Sequence, residues 1–206
     1  MNLYLIRHQK TQWNIDGRLQ GLDDSQNIIF DDEFSDRVKK NERILRNVAF
    51  DVICSSPQKR ALQTASAHNC QDYQIEANII EYNFGAWEGC LRNDMIQATG
   101  EVWLNKFTEF RGGEPYGEFS SRIEAALHKY QHLDNVLFFT HGAVCRYLIS
   151  RAKNLDPDCM NQLQVANNEL IVLEAQDEST CHPCKKNGVW RYPIIAPVWR
   201  RSNNCR

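Results

Sequence analysis

The sequence predicts an α/β protein: a three-layer α/β/α sandwich with a mostly parallel central sheet and helices on both faces. Three observations predict it. Short apolar runs alternate along the chain with amphipathic helical segments, the order that strand–helix–strand units require. The runs are apolar at consecutive positions, so both faces of each strand are covered, as in parallel sheets. The 206 residues, 42% of them hydrophobic, suffice for one core.

The elements follow in order. Leu3 to Ile6, within LYLIRHQKTQWN, reads as a buried first strand. Phe34, Val38, Leu45 and Val48 keep to one face of a helix. Asp51 to Cys54, DVIC, is a second short strand, and SSPQKRALQTASAH reads as a helix with Ser56 as cap and Pro57 at the first helical position. Residues 73–80, YQIEANII, look like a strand. Residues 89–117 mix polar residues with Trp103, Phe107 and Phe110 and end in Gly112 and Gly113; they are expected to form a small helical insertion over the active site. Phe119, Ile123, Leu127 and Tyr130 mark an amphipathic helix, NVLFFT a fully buried strand, and GAVCRYLISRA the helix after it. ELIVLEA and YPIIAPVW close the chain as strands. The prolines push the last to an edge, where it offers a surface for homodimer pairing. With no internal repeat or linker, residues 1–206 are read as a single domain.

Composition narrows the function. The 24 basic and 26 acidic residues leave a net charge of -2. That gives no electrostatic case for nucleic acid or a membrane surface, so any anion site must come from local arrangement. The basic tail VWRRSNNCR reads as a solvated end. No targeting segment or membrane-length apolar run is visible, and a cytoplasmic protein is expected. The eight cysteines are irregularly spaced, with Cys54 in a strand and Cys145 in a helix, so reduced thiols are expected. The one tight pair, Cys181-His182-Pro183-Cys184, is half of what a zinc site needs and reads as a surface loop.

In open α/β sheets, ligands bind at the carboxyl ends of the strands. Three strands end informatively there. The first delivers Arg7 and His8; the second leads through Ser55 and Ser56 into a helix carrying Arg60; NVLFFT runs into His141 and Gly142. One face thus gathers two histidines, two arginines and two helix N-termini. Such groups repel one another unless an anion resolves the repulsion, and arginine's planar fork matches phosphate oxygens.

The motifs around these residues give the pattern a family. LIRHQKTQWNIDGRLQG resembles the opening signature of the histidine phosphatase superfamily, the phosphoglycerate mutase-like proteins, on the phosphatase side. It matches at Arg7, His8, Thr11, Trp13, Asn14, Gly17, Arg18, Gln20 and Gly21. SSPQKRALQTA, EYNFGAWEG, GGEP at 112–115 and THGAVCR resemble the following motifs in family order, with Pro115 where a serine is usual.

The resemblance implies a phosphomonoester hydrolase, of the metal-independent histidine acid phosphatase type, that acts on a small phosphorylated metabolite. It implies that His8 attacks phosphorus and carries a phosphohistidine. Arg7, Arg60 and His141 would hold the phosphoryl oxygens, and Glu81 would protonate the leaving oxygen and then deprotonate water. Asn14, Gln20, Gly21 and the backbone at Gly142 and Ala143 are the expected substrate contacts. No metal or cofactor is called for, since arginines supply the positive charge. A mutase would carry a larger insertion after the third motif, so the short segment 89–117 favours hydrolysis. A non-catalytic phosphate-binding module is the other alternative, opposed by the presence of all five reacting residues.

One position departs from the pattern. Gln9 stands where the family has glycine. If that position needs positive φ, Gln costs about 1–2 kcal/mol, and its side chain would be free to narrow the pocket. The expectation is that the backbone tolerates Gln and catalysis persists.

Overall fold

The structure, a computed structural model, describes residues 1–100, 102–175, 184–186 and 189–194, the last two segments in backbone alone. In chain order the elements are β1 (Asn2–Arg7), α1 (Gln12–Ile15), α2 (Asp32–Leu45), β2 (Val52–Ser55), α3 (Lys59–Ala67), β3 (Gln74–Ile75), α4 (Arg92–Thr99), α5 (Val102–Asn105), α6 (Tyr116–Tyr130), β4 (Asn135–Thr140), α7 (Gly142–Ala152), β5 (Leu170–Ala175), β6 (Cys184–Lys186) and β7 (Val189–Ile194). The strands form one sheet in the order β3-β2-β4-β1-β5-β7-β6. β1, β2, β3 and β4 run parallel, β5 runs antiparallel to β1, β7 parallel to β5 and β6 antiparallel to β7.

Strand alternation divides the core into two faces. Leu3 and Leu5 of β1 join Val136 and Phe138 of β4 on the face covered by α6, α7 and the 89–117 segment. Tyr4, Ile6, Leu137 and Phe139 point the other way, onto Leu45 of α2 and Ala65 of α3. The chain therefore leaves β1 toward one face and leaves β4 toward the other. Adjacent strands whose continuations diverge open a crevice at their carboxyl ends, and this is where α/β sheets hold ligands.

The 89–117 segment is a second source of core. α4, α5 and a short turn at Phe107–Glu109 bury Met95, Trp103, Phe107 and Phe110. Their rings meet Tyr82 and Phe84 edge-on or tilted, with Trp103 and Phe110 centroids 5.0 Å apart and Tyr82 and Phe107 5.2 Å apart.

Three local expectations are corrected. α3 starts at Lys59 with Gln58 at its cap position, not at Pro57 with Ser56 as cap; the Ser56 hydroxyl lies 2.7 Å from His141 Nε2 and accepts from Gln58 N–H at 3.4 Å. Residues 73–80 give only the two-residue β3, followed by a tight turn at Ala77–Ile79 in which the Glu76 side chain accepts from Asn78 N–H. Val48 packs against the core from beyond the end of α2. Val189 to Arg191 of β7 pair with β6, ahead of the stretch from Tyr192 expected at an edge. The Cys181–Cys184 knuckle and the basic tail lie outside the described side chains. Among the described residues, no helix is long and apolar enough to cross a membrane.

Candidate active site

β1 and β4 pair in register through Arg7 and Thr140, which places the next residue of each strand side by side. His8 N–H donates to the Thr140 carbonyl at 2.8 Å, and the His8 and His141 rings lie 5.3 Å apart. Arg60 reaches the same point from the first turn of α3. Its side chain is buried, and its guanidinium donates to the carbonyls of Asp23 (2.9 Å) and Gly21 (2.8 Å), with Asp24 at 3.9 Å. Arg7 is tethered by Nη1 to the Val165 carbonyl at 2.6 Å. Above them is a cavity of about 270 Å³. Of the residues singled out in the sequence, Arg7, His8, Asn14, Gln20, Gly21, Glu81 and Gly142 line it. Arg60, His141 and Ala143 stand behind that wall. A larger groove of about 390 Å³, between Leu45, Phe50 and Cys70 on the α2 side, contains none of these residues.

The geometry sets the chemistry of His8. Its Nδ1 lies 2.7 Å from the carbonyl oxygen of Gln9. A carbonyl only accepts, so Nδ1 carries the proton and Nε2 keeps its lone pair. Burial first, then the charges of Arg60 and Arg7, hold the His8 pKa well below its ordinary value of 6.5. His141 is depressed in the same direction by burial, then by Arg60 and His8. Its Nε2 sits 2.7 Å from Ser56 Oγ, while Nδ1 and the Nε atoms of Arg7 and Arg60 have no partner among the described residues. Of these, only Arg7 lines the cavity, and a buried N–H donor left open there describes a place for an acceptor oxygen.

Glu81 occupies the N-terminus of α7. Its carboxylate accepts from Gly142 N–H (3.0 Å), Ala143 N–H (3.1 Å) and Tyr82 N–H (2.9 Å). The two backbone donors expected to meet substrate thus meet a carboxylate within the protein. Glu81 is held there from behind. Arg122 of α6 donates to the carbonyls of Asn78 (2.9 Å), Ile80 (2.8 Å) and Glu81 (3.0 Å), and pairs with Glu114 at 2.8 Å. Glu114, in the GGEP motif, also accepts from Asn83 N–H at 2.8 Å. A buried ion pair with these added hydrogen bonds fixes the segment that carries the acid.

The other predicted contacts are placed as follows. Asn14 Oδ1 accepts from Thr11 N–H (3.1 Å) and from Asn167 Nδ2 (3.3 Å), so the end of the amide free to donate is Nδ2. Gln20 is buried with Nε2 unpartnered. Gly21 has φ +55, and a Cβ there would run into the Glu88 side chain, which is bound to Leu22 N–H at 2.8 Å. Gln9 causes neither difficulty raised by the sequence. It is not among the positive-φ residues, and it does not line the cavity. Its N–H donates to Thr64 Oγ1 (2.9 Å) and its Nε2 to the Ile29 carbonyl (3.0 Å), so the side chain ties down the loop behind the site.

Sequence reasoning assigned no role to the other residues on the cavity wall, among them Arg18, Arg92, Trp103, Arg146 and Asn167. Arg146 had a signal, lying four residues after Gly142 and hence on the same helix face. Arg18 and Arg92 are brought together by the bridge between Arg18 and Leu91, which no local pattern announces. Asn167 donates to the His8 carbonyl at 3.0 Å from a loop distant in sequence.

A buried imidazole facing a cavity, walled by guanidinium groups and backed by an acid, is an arrangement suited to a phosphoryl group. The chain belongs to the histidine phosphatase superfamily (branch 1), whose family model matches residues 3–182. It is 30% identical over 187 residues to the adenosylcobalamin/alpha-ribazole phosphatase of Escherichia coli K12, covering 80% of this chain and 85% of that one. It is 34% identical over 140 residues to phosphoserine phosphatase 1 of Hydrogenobacter thermophilus, covering 62% and 63%. The crystal structure of the alpha-ribazole phosphatase from Shigella flexneri superposes with a TM-score of 0.70 at 25% identity, over 99% of this chain and all of that one (100%).

Proposed function

We propose that this chain is a phosphomonoesterase that works through a phosphohistidine on His8, with a small phosphorylated metabolite as substrate. The observation that carries the reading is the 2.7 Å contact between His8 Nδ1 and the Gln9 carbonyl, which leaves Nε2 as a lone-pair nucleophile facing the cavity. Nε2 attacks phosphorus as the ester P–O bond breaks. Arg7, Arg60, His141 and Asn14 take the phosphoryl oxygens, whose charge is spread over the equatorial positions. The ring then carries phosphorus on Nε2 and a proton on Nδ1, a cationic form that the Gln9 carbonyl stabilises and that leaves readily in the second step.

Glu81 supplies the leaving oxygen with a proton and recovers one from the water that attacks the phosphohistidine; inorganic phosphate and free His8 result. A phosphoryl group entering the cavity competes with Glu81 for the N–H groups of Gly142 and Ala143; Glu81, released from them and protonated by the entering substrate monoanion, turns its carboxylic acid toward the leaving oxygen. Chemistry of this kind requires His8, so replacing it with alanine is expected to lower kcat toward p-nitrophenyl phosphate by about four orders of magnitude or more. Turnover within tenfold of wild type in that variant would sink the proposal.

A further inference from the structure

We propose that Asn41 of α2, oriented by His68, is a positioning residue for the nucleophile: through the main chain of Asn168 it fixes the peptide groups beside His8. The inference rests on the phosphatase reading and adds to it the groups that aim its nucleophile. Neither Asn41 nor His68 lines the cavity. Residues 7–9 are gripped from behind at three points. Asn168 N–H donates to the Arg7 carbonyl at 2.9 Å, Asn167 Nδ2 to the His8 carbonyl at 3.0 Å, and Gln9 N–H to Thr64 Oγ1 at 2.9 Å. Two of these anchors, Asn168 and Thr64, run back to the same histidine. His68 Nδ1 lies 2.8 Å from the Thr64 carbonyl. Its Nε2 lies 3.2 Å from Asn41 Nδ2, which also donates to the Asn168 carbonyl at 3.2 Å.

The ends of this chain settle where its protons sit. The Thr64 carbonyl only accepts, so His68 Nδ1 carries the ring proton and Nε2 is the acceptor. Burial holds the His68 pKa below its ordinary value of 6.5, which keeps the ring neutral at pH 7. Both neighbours of the Asn41 amide are therefore acceptors, and its two N–H bonds answer them. Asn41, Thr64, His68 and Asn168 are all buried, so a lost donor leaves an acceptor unpaired and dry. Asn168 is the joint that needs holding. Its φ is +53, in the left-handed region, and its side-chain amide has no partner among the described residues. A residue in that region persists where its surroundings hold it. Its N–H grips Arg7 and its carbonyl is gripped by Asn41, across the same pair of backbone dihedrals. Releasing the carbonyl lets the residue relax, shifts the N–H, and takes the aim off His8 Nε2. A displacement of about 1 Å in a reacting group costs up to about a hundredfold in rate.

The test is single-turnover release of p-nitrophenol from p-nitrophenyl phosphate with enzyme in excess, run beside thermal unfolding. The leaving group of this ester needs little protonation, so the rate reports attack by His8 rather than the work of Glu81. Two variants remove the bond to Asn168. Asn41→Leu fills the space without a donor; Asn41→Asp keeps the shape and pairs with a protonated His68, but its carboxylate has no N–H for the Asn168 carbonyl. In each, the saturating rate is expected to fall about tenfold to a hundredfold, with the half-saturating concentration within about threefold, since the arginines that hold the phosphoryl group are untouched. Lys129→Met is the comparison for lost stability alone: it strips the buried Glu76 carboxylate of a partner at 2.8 Å and has no link to the Asn41 chain. It is expected to lower the melting temperature at an unchanged rate. Saturating rates within about threefold of wild type in both Asn41 variants, or an equal slowing in Lys129→Met, overturns the positioning role while turnover by wild type keeps the phosphatase reading intact. Absence of turnover in wild type overturns the phosphatase reading and the positioning role with it.

Discussion

The floor and the rim of the cavity are built by different means. The floor, with Arg7, His8, His141 and Arg60, hangs on strand ends and one helix turn, and sheet register alone brings β1 and β4 residues together. The rim, with Arg18, Arg92, Trp103 and Asn167, is assembled from the 89–117 segment and two loops that meet through isolated bridges and side-chain contacts. The floor is rigid because its backbone is the sheet. The rim has freedom to vary because no sheet hydrogen bond depends on it. On the proposed function, phosphoryl chemistry is assigned to the floor and the choice of substrate to the rim.

The largest expected effect that sharpens this division is at Glu81. Glu81→Gln keeps the side chain's size but removes the exchangeable proton and one of the two oxygens that accept from backbone N–H groups, and kcat is expected to fall by about 10²- to 10⁴-fold on every ester. Steady-state kinetics on an ester with a strongly acidic leaving group checks the role, since such an ester needs less protonation and should lose less.

Arg122→Met comes next. It strips three carbonyls and Glu114 of their donor, in a pair only 16% and 12% exposed. A stability loss of about 3 kcal/mol is expected by denaturant unfolding, with kcat falling about tenfold and KM little changed. An unchanged kcat would detach the α6 clamp from the floor's chemistry.

The pH dependence separates floor from rim a third way. His8 must be neutral to attack, and its depressed pKa keeps it so below the ordinary value of 6.5. The acid limb of kcat/KM assigned to His8 is thus expected below pH 6.5. In Arg60→Leu, which removes the largest neighbouring charge, the limb should move upward; in Arg92→Gln it should stay. Linkage carries the same sign. His8 and His141 bind protons more weakly folded than unfolded, so stability is full above the unfolded pKa and declines as pH falls below it. The melting temperature should drop between pH 7 and pH 5, and less in His8→Gln.

The smallest effect is expected at Gln9. Gln9→Gly restores the usual residue of the motif but loses the bond to Ile29, for about 1 kcal/mol of stability, with activity within about threefold.

This contrast also explains what the sequence made legible. Arg7, His8, His141 and Arg60 could be read because the end of an apolar run locates a strand's carboxyl end. Ser56 reads as a helix cap, whereas its hydroxyl lies 2.7 Å from the His141 ring, 85 residues away. The free space imagined for Gln9 was absent because the Ile29 loop folds over it. The same holds for Trp103, read only as part of an aromatic insertion: that its side chain reaches the cavity wall depends on how α5 packs, which no spacing encodes.

The most direct measurement traps the covalent step. Enzyme mixed with ³²P-labelled phosphomonoester and quenched in alkali within the first turnover should retain label that is stable to base, released by acid and located by peptide mapping on residue 8. Label on a carboxylate or a hydroxyl, or rapid phosphate release with no labelled enzyme at any time, would contradict the account.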